Sequence, residues 1–188
     1  MTLFLMIRHG ANDMVDRNTL AGRLPGVHLN DVGIQQAEAL AGHLSRYTID
    51  AVYSSPMERT RETAAPIAAA QGLDVSVLPA INEVALGEWT GRALAELAED
   101  PQWRAFNQSR SGTRIPGGEI GLEVQLRMIT ALEKLHADHG KAVVALVSHA
   151  DPIRTVIAHC LGMPLDATVR FQIDLASVSI VDFTYWNT

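Results

Sequence analysis

Two histidines, two arginines and a glutamate are the residues of this sequence whose types and places could do chemistry together. Arg8-His9-Gly10 follows one apolar run, and Ser148-His149-Ala150 follows another. Arg59 comes shortly after Ser54-Ser55-Pro56, and Glu83 lies in a turn further on. Neutral imidazole near pH 7 is a competent nucleophile. Guanidinium forks match phosphate oxygens in bidentate fashion and stabilise the charge on a transferring phosphoryl group. His9 is therefore read as a nucleophile and Arg8 as an anion anchor, with Arg59 and His149 completing a cationic pocket the size of a phosphoryl group. Phosphate on a histidine nitrogen is labile to water, so a two-step transfer is chemically reasonable. The leaving alkoxide needs a proton, and the attacking water must later lose one. Glu83 is the best-placed carboxyl by sequence order, and beside the phosphate charge its pKa should rise.

Other chemistries find no support. No Gly-rich loop ends in Gly-Lys-Ser/Thr, so there is no ordinary nucleotide cradle. Asp13, Asp16 and Asp31 sit in an irregular stretch without the spacing of a magnesium site. Neither a cofactor nor a metal is expected. At 188 residues, with 47% hydrophobic and 19% charged residues, the chain reads as one globular domain spanning 1–188. A net charge of −6 argues against nucleic acid or an anionic membrane as partner. The cationic pocket points to a small phosphorylated molecule as substrate and inorganic phosphate as product. Cys160 is the single cysteine, which excludes an intrachain disulfide. The opening apolar run is too short for a signal peptide or a membrane span, and a cytoplasmic location is expected. Oligomeric state is open.

These groups can meet only if the strands before them are parallel neighbours. Apolar runs at 3–7, 49–53, 75–78 and 142–147 read as strands, the last buried on both faces. Helical patterns lie between them. One begins at Asn30 or Asp31 and ends near Tyr47, with Ile34, Ala37, Leu40, Ala41 and Leu44 at helical spacing. Another runs 57–71 and is closed by Gly72, and a third runs 122–139 with Leu126, Ile129, Leu132 and Leu135 on one stripe. A last helix covers 153–161. Residues 11–30 read as a long loop bordering the site, and 88–120 as a small insertion of short helices and loops. Two closing strands, 169–174 and 177–184, are expected to form a hairpin with one antiparallel member. The alternation implies a three-layer α/β/α sandwich around a mainly parallel sheet.

Arg8-His9-Gly10, the stretch Ser54-Ser55-Pro56-Met57-Glu58-Arg59-Thr60-Arg61-Glu62-Thr63-Ala64, Asn82-Glu83 through Gly87-Glu88-Trp89-Thr90-Gly91, Pro116-Gly117-Gly118-Glu119, and Ser148-His149 occur in this order across nearly the whole chain. Together they resemble the histidine phosphatase superfamily, in the branch with phosphoglycerate mutases and α-ribazole-phosphatase-like enzymes. The resemblance implies a phosphoglycerate mutase-like fold and a phosphohistidine on His9. Arg8, Arg59 and His149 would hold phosphate, and Glu83 would be the proton donor. The sequence departs from the family after Arg-His-Gly, where Ala11, Asn12, Met14 and Val15 replace the frequent Glu-Thr and Trp-Asn. Asn12 is then the candidate for the family's phosphate-contacting Asn. The second-His segment reads His-Ala-Asp-Pro rather than His-Gly-Gly, and Ala150 is grouped with His149 at the phosphate. Family mutases carry a C-terminal tail that keeps water from the phosphohistidine. Its lack here makes hydrolysis the expected outcome, with mutase activity or a non-catalytic phospho-ligand module as the alternatives.

Some residues remain open in the sequence. Arg23 and His28 either touch substrate from the long loop or are solvated. Trp89 and Trp103 line the pocket entrance or pack the short helices, and Trp103 leans to packing. Arg61 reads as a surface or salt-bridging residue, His136 and His139 as groups opposing a helix dipole, and Cys160 as core filler.

Overall fold

Alternating burial along the first apolar run builds two cores at once. The computed structural model describes residues 2–183. In chain order its elements are β1 (Thr2–Arg8), α1 (Asp13–Asp16), α2 (Asp31–Leu44), β2 (Ala51–Ser54), α3 (Glu58–Gln71), β3 (Val75–Val77), α4 (Leu94–Leu97), α5 (Pro101–Gln108), α6 (Gly121–His139), β4 (Ala142–Ser148), α7 (Ala150–Cys160) and β5 (Val178–Asp182), with short 3₁₀ turns between some of them. Phe4 and Met6 of β1, with Val144 and Leu146 of β4, face one core, where α6 and α7 contribute Val124, Met128, Leu132, Ile153 and Val156. Leu5 and Ile7, with Ala145 and Val147, face the other, where α2 and α3 contribute Leu40, Leu44, Ala64 and Ile67. The period-2 geometry of strands divides the side chains in this way. The sheet order is β3-β2-β4-β1-β5, parallel except for β5, which runs antiparallel to β1. This is the three-layer mixed α/β sandwich implied by the sequence.

Several expectations are corrected. No strand forms over 169–174: Leu165–Arg170 is a 3₁₀ helix that buries Leu165 and Thr168 one turn apart, and Ile173 is buried without joining the sheet. The closing hairpin is therefore absent, and β5 starts at Val178 and pairs with β1 alone among the described strands. Thr184, the end expected for that strand, lies outside the described residues. Leu126 is 68% exposed, because it projects about 200° around the helix from the buried Met128. Ile34, in the first turn of α2, is exposed at 47%, and α2 ends at Leu44 rather than near Tyr47. Part of the expected 11–30 loop is the short helix α1, capped by Asn12. The final helix begins at Ala150, three residues before its expected start. Among the described residues no helix is long and apolar enough to cross a membrane.

Candidate active site

β1 and β4 pair residue for residue from Thr2↔Ala142 to Arg8↔Ser148. That register brings the next residue of each strand, His9 and His149, to the same carboxyl rim. The His9 amide donates to the Ser148 carbonyl at 3.1 Å, and the two imidazole centroids are 5.3 Å apart. Open α/β sheets place ligands at such a rim, where neighbouring strands are covered from opposite faces. Immediately after His9 the chain presses onto the start of α2. A Cβ on Gly10 would lie 2.7 Å from the Gly33 carbonyl oxygen, and one on Gly33 would lie 2.1 Å from that of Ala11. The Gly10 amide donates to Thr63 Oγ1 at 3.0 Å, which ties the turn to α3.

His9 is 4% exposed, with Nδ1 2.8 Å from the Gly10 carbonyl oxygen. An N–H on Nδ1 donates to that oxygen, and the Nε2 lone pair is then free. Burial, reinforced by the Arg59 charge, pulls the His9 pKa down to about 3, so the ring is neutral at ordinary pH. Arg8 donates to the Ile173 carbonyl at 2.7 Å, and Arg59 donates to the Gly22 carbonyl at 2.8 Å. Burial lowers both arginine pKa values, and the Glu83 carboxyl opposes the effect in each case. Asn12 is fully buried, and its Oδ1 accepts from the Met14 and Val15 amides at 3.1 Å. Arg8 Nε, Arg59 Nε and Nη1, and Asn12 Nδ2 are buried donors without partners, on three residues that line one pocket. Buried unpaired donors call for an acceptor. A tetrahedral anion supplies several acceptor oxygens at one point.

His149 is completely buried and neutral: burial, then the charges of Arg59 and the nearby imidazole of His9, hold its pKa well below the ordinary value. Its Nε2 lies 2.8 Å from Ser55 Oγ, and that hydroxyl donates to Asn82 Oδ1 at 3.1 Å. Arg59 Nη2 lies 3.2 Å from His149 Nδ1. The arrangement matches a tautomer with the proton on Nε2 and an acceptor at Nδ1. Asn82 Oδ1 also accepts the Glu83 amide at 2.8 Å, so one short chain of bonds links His149 to the backbone of Glu83. Glu83 Oε2 is 3.7 Å from His149 Nδ1. Burial, then Asp151, raises the Glu83 pKa to about 7 against the pull of Arg59 and Arg8, which suits proton donation and removal near neutrality.

The loop bearing Glu83 is held from below. Ser148 Oγ donates to the Ile81 carbonyl at 2.7 Å. Arg127 reaches the Ala80 carbonyl at 2.6 Å, the Glu83 carbonyl at 3.1 Å and Glu119 Oε1 at 2.9 Å. Arg23 donates to the Glu83 carbonyl at 2.8 Å and to Glu119 at 2.9 Å. Its guanidinium therefore supports the Glu83 loop and is not among the groups lining the pocket. Gly87, at φ +48°, packs backbone on backbone: a Cβ there would fall 2.0 Å from the Pro116 carbonyl oxygen. This contact is the structural use of the Pro116-Gly117-Gly118-Glu119 stretch.

The pocket has a volume of about 150 Å³. Its inner wall is Arg8, His9, Asn12, Arg59 and Glu83; further out it is lined by α1, the loop after it, and α5. Among the described residues no group of three or more His, Cys, Asp or Glu is arranged to hold a metal ion.

The family model for the histidine phosphatase superfamily (branch 1) matches residues 4–187. The chain belongs to this superfamily. It is 38% identical over 186 residues to the bifunctional protein Rv2228c of Mycobacterium tuberculosis, covering 97% of this chain and 50% of that one. The chain thus spans about half the length of such curated relatives. It is 32% identical over 186 residues to phosphoserine phosphatase 1 of Hydrogenobacter thermophilus, covering 96% and 86% of the two chains. A mycobacterial glucosyl-3-phosphoglycerate phosphatase solved as a VO3 complex superposes with a TM-score of 0.87 at 28% identity, over 96% of this chain and 90% of that one.

In this histidine phosphatase superfamily member, five residues singled out in the sequence, His9, Arg8, Arg59, His149 and Glu83, converge on one spot. Asn12 joins them. Others lie apart. His28 is exposed and paired with Glu62 at 2.5 Å, which raises its pKa, and Ala150 packs against the apolar core at the start of α7. Arg61 is exposed. Trp89 is buried in the core, whereas Trp103 both packs on it, centroids 5.2 Å apart, and lines the pocket. Sequence reasoning assigned no role to Ser55, Thr63, Asn82, Glu119 or Arg127. All but Arg127 lie inside segments that carried the family resemblance, and their partners are distant in sequence.

Proposed function

We propose that this chain hydrolyses a phosphomonoester through a phosphohistidine on His9, without a metal or other cofactor. The observation that carries the proposal is a neutral imidazole with Nδ1 engaged by the Gly10 carbonyl, beside unpartnered donors of Arg8, Arg59 and Asn12. The phosphate dianion takes these donors, and His9 Nε2 attacks phosphorus in line with the departing alkoxide. Charge developing on the equatorial oxygens is stabilised by guanidinium groups already in place, which spares reorganisation. His149, accepting from Arg59 through Nδ1, holds that guanidinium toward the same oxygens. Protonated Glu83 gives its proton to the leaving oxygen and, as a carboxylate, takes one from the water that cleaves the phosphoramidate. A pKa of about 7 lets one group serve both steps.

Rapid acid–base quenching with ³²P-labelled substrate tests the proposal. The expected result is an acid-labile, base-stable phosphoenzyme that disappears in His9→Ala, with turnover unaffected by chelators. Normal turnover by His9→Ala overturns it. Isomerisation of phosphoglycerate at a rate above hydrolysis would replace it with the mutase assignment.

A further inference from the structure

We propose that the outer half of this pocket is a seat for an apolar, ring-sized leaving group, so that the substrate is the phosphomonoester of a hydrophobic alcohol rather than of a charged hydroxy acid. The inference rests on the hydrolase assignment of the inner half and names the substrate class for that same site. Beyond the phosphate-binding wall the lining changes character. Val15, Leu20, Ala21, Leu86, Trp103 and Phe106 face the space that a leaving group must occupy.

The aromatic part of this wall is rigid. Trp89, fully buried, meets Trp103 edge-on at 5.2 Å and Phe106 at 5.5 Å. Phe106 and Trp103 are both carried on α5, three residues apart and so on one helix face. Such a prearranged surface binds apolar groups at little ordering cost.

The charged residues at this end are committed to each other. Arg110 donates to Asp151 at 3.0 Å and to Asn107 at 3.0 Å, and its guanidinium lies over the Phe106 ring at 5.1 Å. Asp151 also accepts from Arg154 at 2.7 Å. A substrate carboxylate here meets the Asp151 charge beside an already paired guanidinium. A substrate ammonium meets two arginines. Arg110 keeps one buried Nε–H without a partner, but its charge is already matched by Asp151, so neither end of phosphoserine finds an unmatched opposite charge, whereas a ring finds Val15, Leu20, Ala21, Leu86, Trp103 and Phe106.

The test compares benzyl phosphate, O-phosphoserine and 3-phosphoglycerate. All three leave as alkoxides, so the comparison reads leaving-group binding rather than aryl activation. The expected kcat/KM favours benzyl phosphate by about tenfold or more, the scale at which apolar pockets discriminate. Trp103→Ala should cut the ratio of kcat/KM for benzyl phosphate over glycerol 3-phosphate by about tenfold, and Trp103→Phe should restore much of it. Val15→Asp, at a half-buried position on α1, lowers the same ratio without touching α5 and serves if Trp103→Ala does not fold. Preference for phosphoserine or 3-phosphoglycerate, or an equal loss on all esters in these variants, overturns the substrate class and leaves the hydrolase assignment standing. Absence of turnover and of phosphoenzyme with every ester overturns both.

Discussion

The inner and outer halves of the pocket are built by different means. The inner half hangs on backbone: parallel register sets His9 beside His149, and glycine contacts set the turn after His9. The outer half hangs on side chains, with Trp89 between two other aromatic rings and Asp151 between two arginines. Backbone register leaves little room for variation, since a slip of one residue would move every side chain to the opposite face. Side-chain packing changes with each substitution. On the proposed function, the chemistry is therefore placed where the chain tolerates least change, and the proposed selectivity where it tolerates more. Asp151 belongs to both halves, because it fixes Arg110 and also raises the pKa of Glu83.

Substitutions should separate the two halves in decreasing order of effect. His9→Ala removes the proposed nucleophile and should lower kcat by at least about 10³-fold on every ester, a loss measured in steady state. Arg59→Ala removes a charge from the phosphate seat and should cost about 10²–10³-fold in kcat. If either variant discriminates between benzyl phosphate and phosphoserine, the division into two halves fails.

Glu83→Gln tests the pH dependence. Because Glu83 in the fold binds its proton up to about pH 7, the single-turnover rate of phosphoenzyme formation should fall above that pH. The glutamine variant should be slow and without that fall. His9, with its pKa near 3, should add no limb between pH 4 and 7. The sign for stability follows from the same raised pKa. The contribution of protonated Glu83 is complete below its ordinary value of 4.5 and is lost as pH rises through about 7. Glu83→Gln should therefore gain stability over the parent above pH 7, by up to about 3 kcal/mol, readable as a urea midpoint that exceeds the parent's by more at pH 8 than at pH 5.

Asp151→Asn should move the alkaline fall in rate to lower pH, since one negative charge near Glu83 is removed. It should change benzyl selectivity in the same variant by loosening Arg110. A shift in one without the other would place Asp151 in a single half. Arg61→Ala, on the exposed side of α3, should alter stability by less than about 0.5 kcal/mol and leave both halves untouched.

The inner half was legible because its residues stand at punctuated places. Arg8-His9 and Ser148-His149 each follow an apolar run, so the strand end could be read directly, and Glu83 followed from chain order. Arg23 was not legible. As a loop cation near the site it was open to substrate contact, and only its bonds to the Glu83 carbonyl and to Glu119, 60 and 96 residues away, show it supporting the acid–base loop. The strand expected at 169–174 misread an apolar alternation, whose Phe171 and Ile173 instead pack against the core beside α7. Trp103 leaned to packing over lining the pocket because one helix face can serve both a core and a cavity, and a sequence does not show where the core ends.

Local order and residue type were enough to determine the alternation of strands and helices, the strand ends at which the histidines sit, and the types of group that meet there. Those features depend on short-range periodicity and on the fixed geometry of a strand, both of which are written in neighbouring residues. Tertiary structure alone decided that His149 speaks to Glu83 through Ser55 and Asn82, that Glu119 and Arg127 carry the acid–base loop, and that the outer wall is apolar with its charges paired. Each of these depends on side chains brought together from distant segments by packing, and their meeting leaves no periodic trace along the chain.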